Sequence, residues 1–137
     1  MEKAVFAAEL EELHKILQWI RVRLEKKGLE GRTVRRLELA LEEAVVNIIR
    51  HGYRGKLGKI EIGVKWSQER VEIVIRDWAS PFDLLTHSPK INNQASLEEQ
   101  ETGGLGISLI KQIVDEVVYQ RENNTNLLTL VKRLPLN

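Results

Sequence analysis

The feature that most constrains the fold of this chain is a change of hydrophobic period near its middle. Before it, Leu10, Leu13, Leu17, Ile20 and Leu24 recur in steps of three and four, and Val34, Leu37, Leu41, Ala44 and Ile48 do much the same. That spacing keeps the side chains on one face of an α-helix. After it, Ile60, Ile62, Val64 and Trp66 alternate with Glu61, Gly63 and Lys65, and Val71, Ile73 and Ile75 alternate with Asp77 in the same register. Period two belongs to strands that bury one face.

The pattern predicts a helix over about 9–27, closed by Gly28 and Gly31. A second helix is expected with Thr33 as its N-cap and His51-Gly52 at its end. A hairpin follows through Ser67-Gln68-Glu69-Arg70, then a polar, unpatterned stretch over about 83–102. A loop of that length inside a domain is more often functional than accidental. Gly103-Gly104-Leu105-Gly106 then opens a short helix carrying Leu105, Leu109, Ile110 and Ile113 and ending near Asp115 or Glu116. Strands around 117–121 and 127–133, joined by Asn123-Asn124-Thr125-Asn126, close the chain. Helices covering one face of a sheet bury these stripes economically, so the expected class is an α+β two-layer sandwich, with residues 1–137 as one domain.

Composition narrows the function classes. Lys and Arg total 21 against 20 Asp and Glu, a formal charge of +1, without the basic excess of a nucleic-acid binder or of a polybasic membrane-surface module. There is no cysteine, which excludes disulfides and thiolate chemistry and fits a reducing compartment. No apolar run approaches the roughly 20 residues of a membrane helix, and Glu9, Glu11 and Glu12 argue against a signal peptide. The expectation is a cytoplasmic protein.

Three features carry chemistry. Glu43 and Asn47 stand four residues apart on the second helix, so their side chains stack at the edge of its apolar stripe. They are either a solvated flank or the lining of a cleft, where the carboxylate accepts a proton and the amide oxygen ligates a hard cation such as Mg²⁺. Asp77 is in register with the core face of its strand, where a carboxylate needs a donor. A helix cap, an ion pair or a ligand amino group would each supply one. Gly103-Gly104-Leu105-Gly106 opens a helix, either as a hinge or as a turn offering free N–H groups to phosphate. It is not a Walker A sequence, since no Gly-Lys-Ser/Thr follows.

Taken in order, Glu43-Ala44-Val45-Val46-Asn47-Ile48-Ile49-Arg50-His51-Gly52-Tyr53, Asp77-Trp78-Ala79-Ser80-Pro81-Phe82-Asp83 and Gly103-Gly104-Leu105-Gly106-Ile107 resemble the N box and the two glycine boxes of the GHKL ATPase superfamily. Within it they are most similar to the bacterial anti-sigma-factor serine kinases and their switch-kinase relatives, and the similarity covers essentially the whole chain. The resemblance implies a Bergerat-type fold with a mixed, mostly antiparallel sheet and an ATP lid over about 83–102. It implies ATP or ADP and Mg²⁺ as ligands, with Asn47 on the metal and Glu43 as the general base toward a protein hydroxyl. Asp77 would accept from the adenine amino group, and Gly104, Leu105 and Gly106 would present backbone N–H groups to the phosphates. Glu42 is the adjacent competitor for the base role, but the family pattern selects Glu43. Asn126 is a looser match, either a turn residue or, in register with Leu128 and Leu130, a companion of Asp77 near the adenine.

Two features depart from the family. The first glycine box is usually Asp-x-Gly-x-Gly, but here Ala79 and Pro81 replace both glycines. Thr102 stands where some kinases of the family carry a basic residue, with Lys90 and Lys111 as candidate substitutes. His14, His51 and His87 lack metal-ligand spacing, and Trp19 and Trp66 read as core or partner-facing. The implied function is an ATP-dependent serine/threonine kinase acting on an anti-sigma-antagonist-like protein, with a sigma factor as a further partner and a homodimer as its assembly. The alternative is a non-catalytic nucleotide-binding regulator that sequesters a transcription factor. A third reading, plain ATP hydrolysis, uses the same Glu43 to activate water.

Overall fold

The computed structural model describes residues 1–86 and 104–135. In chain order these form strand β1 (Glu2–Ala7), a 3₁₀ turn (Leu10–Glu12), helix α1 (Leu13–Lys26) and helix α2 (Gly31–Asn47). A π-helical turn (Ile48–Tyr53), β2 (Lys59–Trp66), β3 (Arg70–Asp77), α3 (Gly104–Ile113), β4 (Glu116–Glu122) and β5 (Thr125–Arg133) follow. The strands lie in the order β1-β2-β3-β5-β4. Every pairing among the described residues is antiparallel, so the sheet they form is not mixed. The α+β architecture is as expected, with three α-helices among the described residues.

β1 is an addition to the expected order. Its short run Lys3-Ala4-Val5-Phe6 gives too little alternation to stand out, and it is held by its pairing with β2 at the sheet edge. Val5 remains 55% exposed on it. The stripe on α1 is also shifted: Ile16, Ile20 and Leu24 are fully buried, Leu13 and Leu17 only partly, and Leu10 sits exposed in the 3₁₀ turn. On α2 the whole predicted stripe is buried. That helix starts at Gly31, with Glu30 before it and no side-chain cap, so Thr33 is not its N-cap. These helical residues meet Ile60, Ile62, Val64, Val71, Ile73, Ile75, Leu128 and Leu130 of the sheet in one core. Arg21 of α1 donates to the buried Glu38 of α2 at 2.7 Å and ties the two helices together.

The end of α2 determines where the site lies. His51-Gly52 does not stop the helix. The turn widens to π geometry and runs to Tyr53, until Arg54 reverses it at φ 53°. Such a turn is rare and tends to occur at functional sites. Gly58, just beyond, is packed so closely that a Cβ there would collide with the Tyr53 ring. In the β4–β5 hairpin only Asn123 and Asn124 form the turn, at φ 50° and 61°. Two successive left-handed residues match the strand twist, and asparagine tolerates them. Thr125 and Asn126 therefore belong to β5 and not to the turn.

Candidate functional site

Asp77 is the last residue of β3, and the ladder places it opposite Ile60 on β2 and Asn126 on β5. Both Asp77 and Asn126 are 3% exposed, facing the helical layer as their register requires. Asn126 Nδ2 donates to Asp77 Oδ1 at 2.8 Å, and the Ala79 N–H donates to the same oxygen at 3.0 Å. The other carboxylate oxygen has no hydrogen bond among the described residues. Burial pushes the Asp77 carboxyl above the usual carboxylate range, while the Asn126 and Ala79 donors and the Arg121 charge oppose that rise. A partly desolvated carboxylate with one unused acceptor is suited to a ligand N–H.

Residues 78–82 wrap around this pair. Asn126 Nδ2 also donates to the Ser80 carbonyl at 2.9 Å, and Asn126 Oδ1 accepts from the Phe82 N–H at 3.2 Å and from the Tyr119 hydroxyl. Arg121 Nη1 donates to the Ala79 carbonyl at 2.8 Å. On the other side the Tyr53 hydroxyl donates to the Lys59 carbonyl and accepts from the Trp78 N–H at 2.9 Å. The His51 ring stacks on Phe82, with centroids 6.2 Å apart. Gly52 brings the π-turn against Ala79 and Phe82, within 3.6 and 3.9 Å of where its Cβ would stand. Sequence reading gave no role to Tyr119, Arg121 or Tyr53. The first two share a hairpin with Asn126, and that adjacency was the signal available.

The N-box pair lies on the final turn of α2. Asn47 is 6% exposed, so it is not part of a solvated flank, and its Nδ2 donates to the Glu43 carbonyl at 2.7 Å. That bond orients the amide and leaves Oδ1 without a hydrogen bond among the described residues. Glu43 is half-buried; desolvation, and then the neighbouring Glu42, hold its carboxyl above the usual range against the pull of Arg50. Ile48, the next residue after Asn47, lines a small void together with Asp77, Phe82, Leu84, Tyr119, Asn126 and Leu128. The N box and the first glycine box thus meet at one place. The void measures about 10 Å³.

The third box opens α3 at Gly104, and α3 packs against α2. Gly103, Thr102, Lys90 and most of the expected lid lie outside the described residues. Lys111 stands in the last turn of α3, seven residues from Gly104, and lines a groove with Leu85, Val114 and Glu116. At 1.5 Å rise per residue it is about 10 Å along the helix from the glycine end, too far to replace a basic residue there. Among the described residues no three His, Asp or Glu side chains cluster as a metal site. Asn47 Oδ1 still fits Mg²⁺, which takes one or two protein oxygens and completes its shell with water and substrate phosphate.

The family description "Histidine kinase-like ATPase domain" matches residues 6–132. Curated relatives include the Serine-protein kinase RsbW of Staphylococcus epidermidis, 30% identical over 95 residues, which are 66% of this chain and 60% of that protein. RsbW of Staphylococcus aureus strains bovine RF122 / ET3-1 and MRSA252 is 32% identical over the same shares. The match thus spans about 60% of the length of these relatives. Among the described residues, no helix is long and apolar enough to cross a membrane. The chain belongs to the histidine kinase-like ATPase domain family.

Proposed function

Because this chain is a histidine kinase-like ATPase domain similar to serine-protein kinases, we propose that it is an ATP-dependent serine/threonine protein kinase. Its substrate is a small protein of the anti-sigma-antagonist type, and its further partner is a sigma factor held and released by partner switching. The observation that carries the reading is one void at the end of α2 that Ile48, the residue after Asn47, lines together with Asp77 and Asn126.

In this reading the free oxygen of Asp77 accepts from the adenine amino group. Backbone N–H groups of Gly104, Leu105 and Gly106 face the phosphates at a helix N-terminus, where the peptide dipoles favour negative charge. Asn47 holds Mg²⁺, which neutralises charge on the phosphate oxygens. Glu43 takes the proton from the substrate hydroxyl, and its raised pKa makes it a stronger base than an ordinary carboxylate. A void of about 10 Å³ holds no purine, so base entry requires Phe82 and Leu84 to withdraw. The assembly is a homodimer through the open face of the sheet, where Val74, Thr129 and Val118 form one row of half-exposed residues.

Purified chain with its captured partner, incubated with Mg-ATP and analysed by mass spectrometry, tests the reading. One phosphorylated serine or threonine on the partner supports it. Partner binding that depends on nucleotide, with no phosphorylated residue, supports instead the non-catalytic regulator that the departures at Ala79 and Thr102 favour.

A further inference from the structure

We propose that Asn126 is a positioning residue: with Tyr119 and Arg121 it forms a side-chain latch that fixes residues 79–82 and aims the Asp77 carboxylate, doing with side chains what two glycines would otherwise do. The inference rests on the nucleotide reading of the site for its functional half, and on geometry alone for its structural half.

A carboxamide offers two N–H donors and one oxygen with two lone pairs. In Asn126 the donors reach Asp77 Oδ1 at 2.8 Å and the Ser80 carbonyl at 2.9 Å, while the oxygen accepts from Phe82 N–H and Tyr119 Oη. All four positions are occupied by protein, so the amide has no capacity left for a ligand. Asn126 therefore acts on a bound base only through Asp77 and the loop. A loop between a strand and a nucleotide usually gains its shape from glycine, which adopts conformations closed to other residues. Here Ala79 and Pro81 lack that freedom, and Ala79 is buried. The loop is instead held from outside at three backbone atoms: the Ala79 carbonyl by Arg121, the Ser80 carbonyl and the Phe82 N–H by Asn126. All the latching side chains come from one hairpin, β4–β5, whose Asn123-Asn124 turn fixes its register.

The test uses the full chain, Asn126→Ala and Tyr119→Phe. Amide hydrogen exchange at Phe82, measured without ligand, should speed up about tenfold or more in Asn126→Ala and less in Tyr119→Phe, since a buried bond is lost in the first and only supported in the second. Calorimetric titration with Mg-ADP from pH 5.5 to 8 should show affinity about tenfold or more lower in Asn126→Ala at pH 7. The acid-side loss of affinity should also move to higher pH, because a donor to the ionised Asp77 is gone. The other titratable groups that act on Asp77 are Arg121 and Tyr119 from β4 and Tyr53 from the π-turn. All remain in Asn126→Ala, so the shift reports the missing amide. Folded Asn126→Ala with unchanged Phe82 exchange would overturn the latch. Faster exchange with an unchanged pH profile would overturn the aiming of Asp77. Should Asn126→Ala fail to fold, unchanged exchange in Tyr119→Phe decides against the latch. A parent chain that binds no ADP refutes the nucleotide reading, and the exchange data still decide the latch.

Discussion

The two ends of the candidate site are built on opposite plans. At the proposed base end, Asp77, Asn126, Tyr119, Arg121 and Tyr53 bond to one another and to the loop, and one oxygen of Asp77 is left without a hydrogen bond among the described residues. At the proposed phosphate end, Asn47 Oδ1 has no hydrogen bond among the described residues, Glu43 is half-buried with its pKa raised, and the first N–H groups of α3 have no helical acceptor. The lesson is a division of labour. In the proposed reading, recognition sits where the sheet holds groups rigidly, and chemistry sits on helix termini. Pre-organised networks are costly to break, whereas unsatisfied groups gain most when charge arrives.

The contrast can be broken by mutation, and the largest effect should come from the phosphate end. Glu43→Ala should lower phosphoryl transfer by roughly 10²–10⁴-fold and leave Mg-ADP affinity within about threefold, as read by phosphoserine formation and calorimetry. Equal losses in both would show that the two ends are not separable. Asp77→Asn should weaken Mg-ADP binding by about 10–100-fold, because the new amide presents a donor to the base's own donor. Its stability should move the other way. The folded chain binds more protons at Asp77 than the unfolded chain does, since the folded pKa is raised. Stability from this group therefore falls as pH rises from the ordinary carboxylate range through the raised value. The neutral amide removes that penalty, so thermal unfolding at pH 7 should shift upward in Asp77→Asn. A downward shift would mean that the hydrogen bonds of the carboxylate outweigh its desolvation. Smallest should be Gly58→Ala, which reaches the base end only through the Tyr53 ring. The added methyl displaces the Tyr53 ring and costs about 1–3 kcal/mol by denaturant unfolding. Transfer per bound nucleotide should stay near that of the parent.

Much of this was legible in the residues. The period change located α1, α2, the β2–β3 hairpin, α3 and the last two strands, because a stripe buried on one side leaves a periodic trace. Asp77 stood out for the complementary reason, as a charge in an apolar register. What escaped was structure that leaves no such trace. β1 is short, and pairing holds it at the edge. The π-turn at Ile48–Tyr53 has no compositional mark, and the helix appeared to stop at His51-Gly52 because glycine usually does stop one. Asn126 looked divided between turn and strand because it follows Asn123-Asn124-Thr125, and only the ladder opposite Asp77 separates the two. The stripe's edge alone leaves Asn47 open between a solvated flank and a cleft, and only the folded chain shows it buried.

The full occupancy of the Asn126 amide bears on how such a chain can diverge. A side chain with no vacant valence cannot be exchanged alone, and neither can the loop it grips. Glycine at 79 and 81 would release position 126 to vary, whereas losing the amide first leaves the Ser80 carbonyl and the Phe82 N–H without their clasp. Lineages descended from this protein should therefore inherit positions 79, 81, 119 and 126 as a linked set, with the order of replacement restricted to paths that change the loop before its clasp.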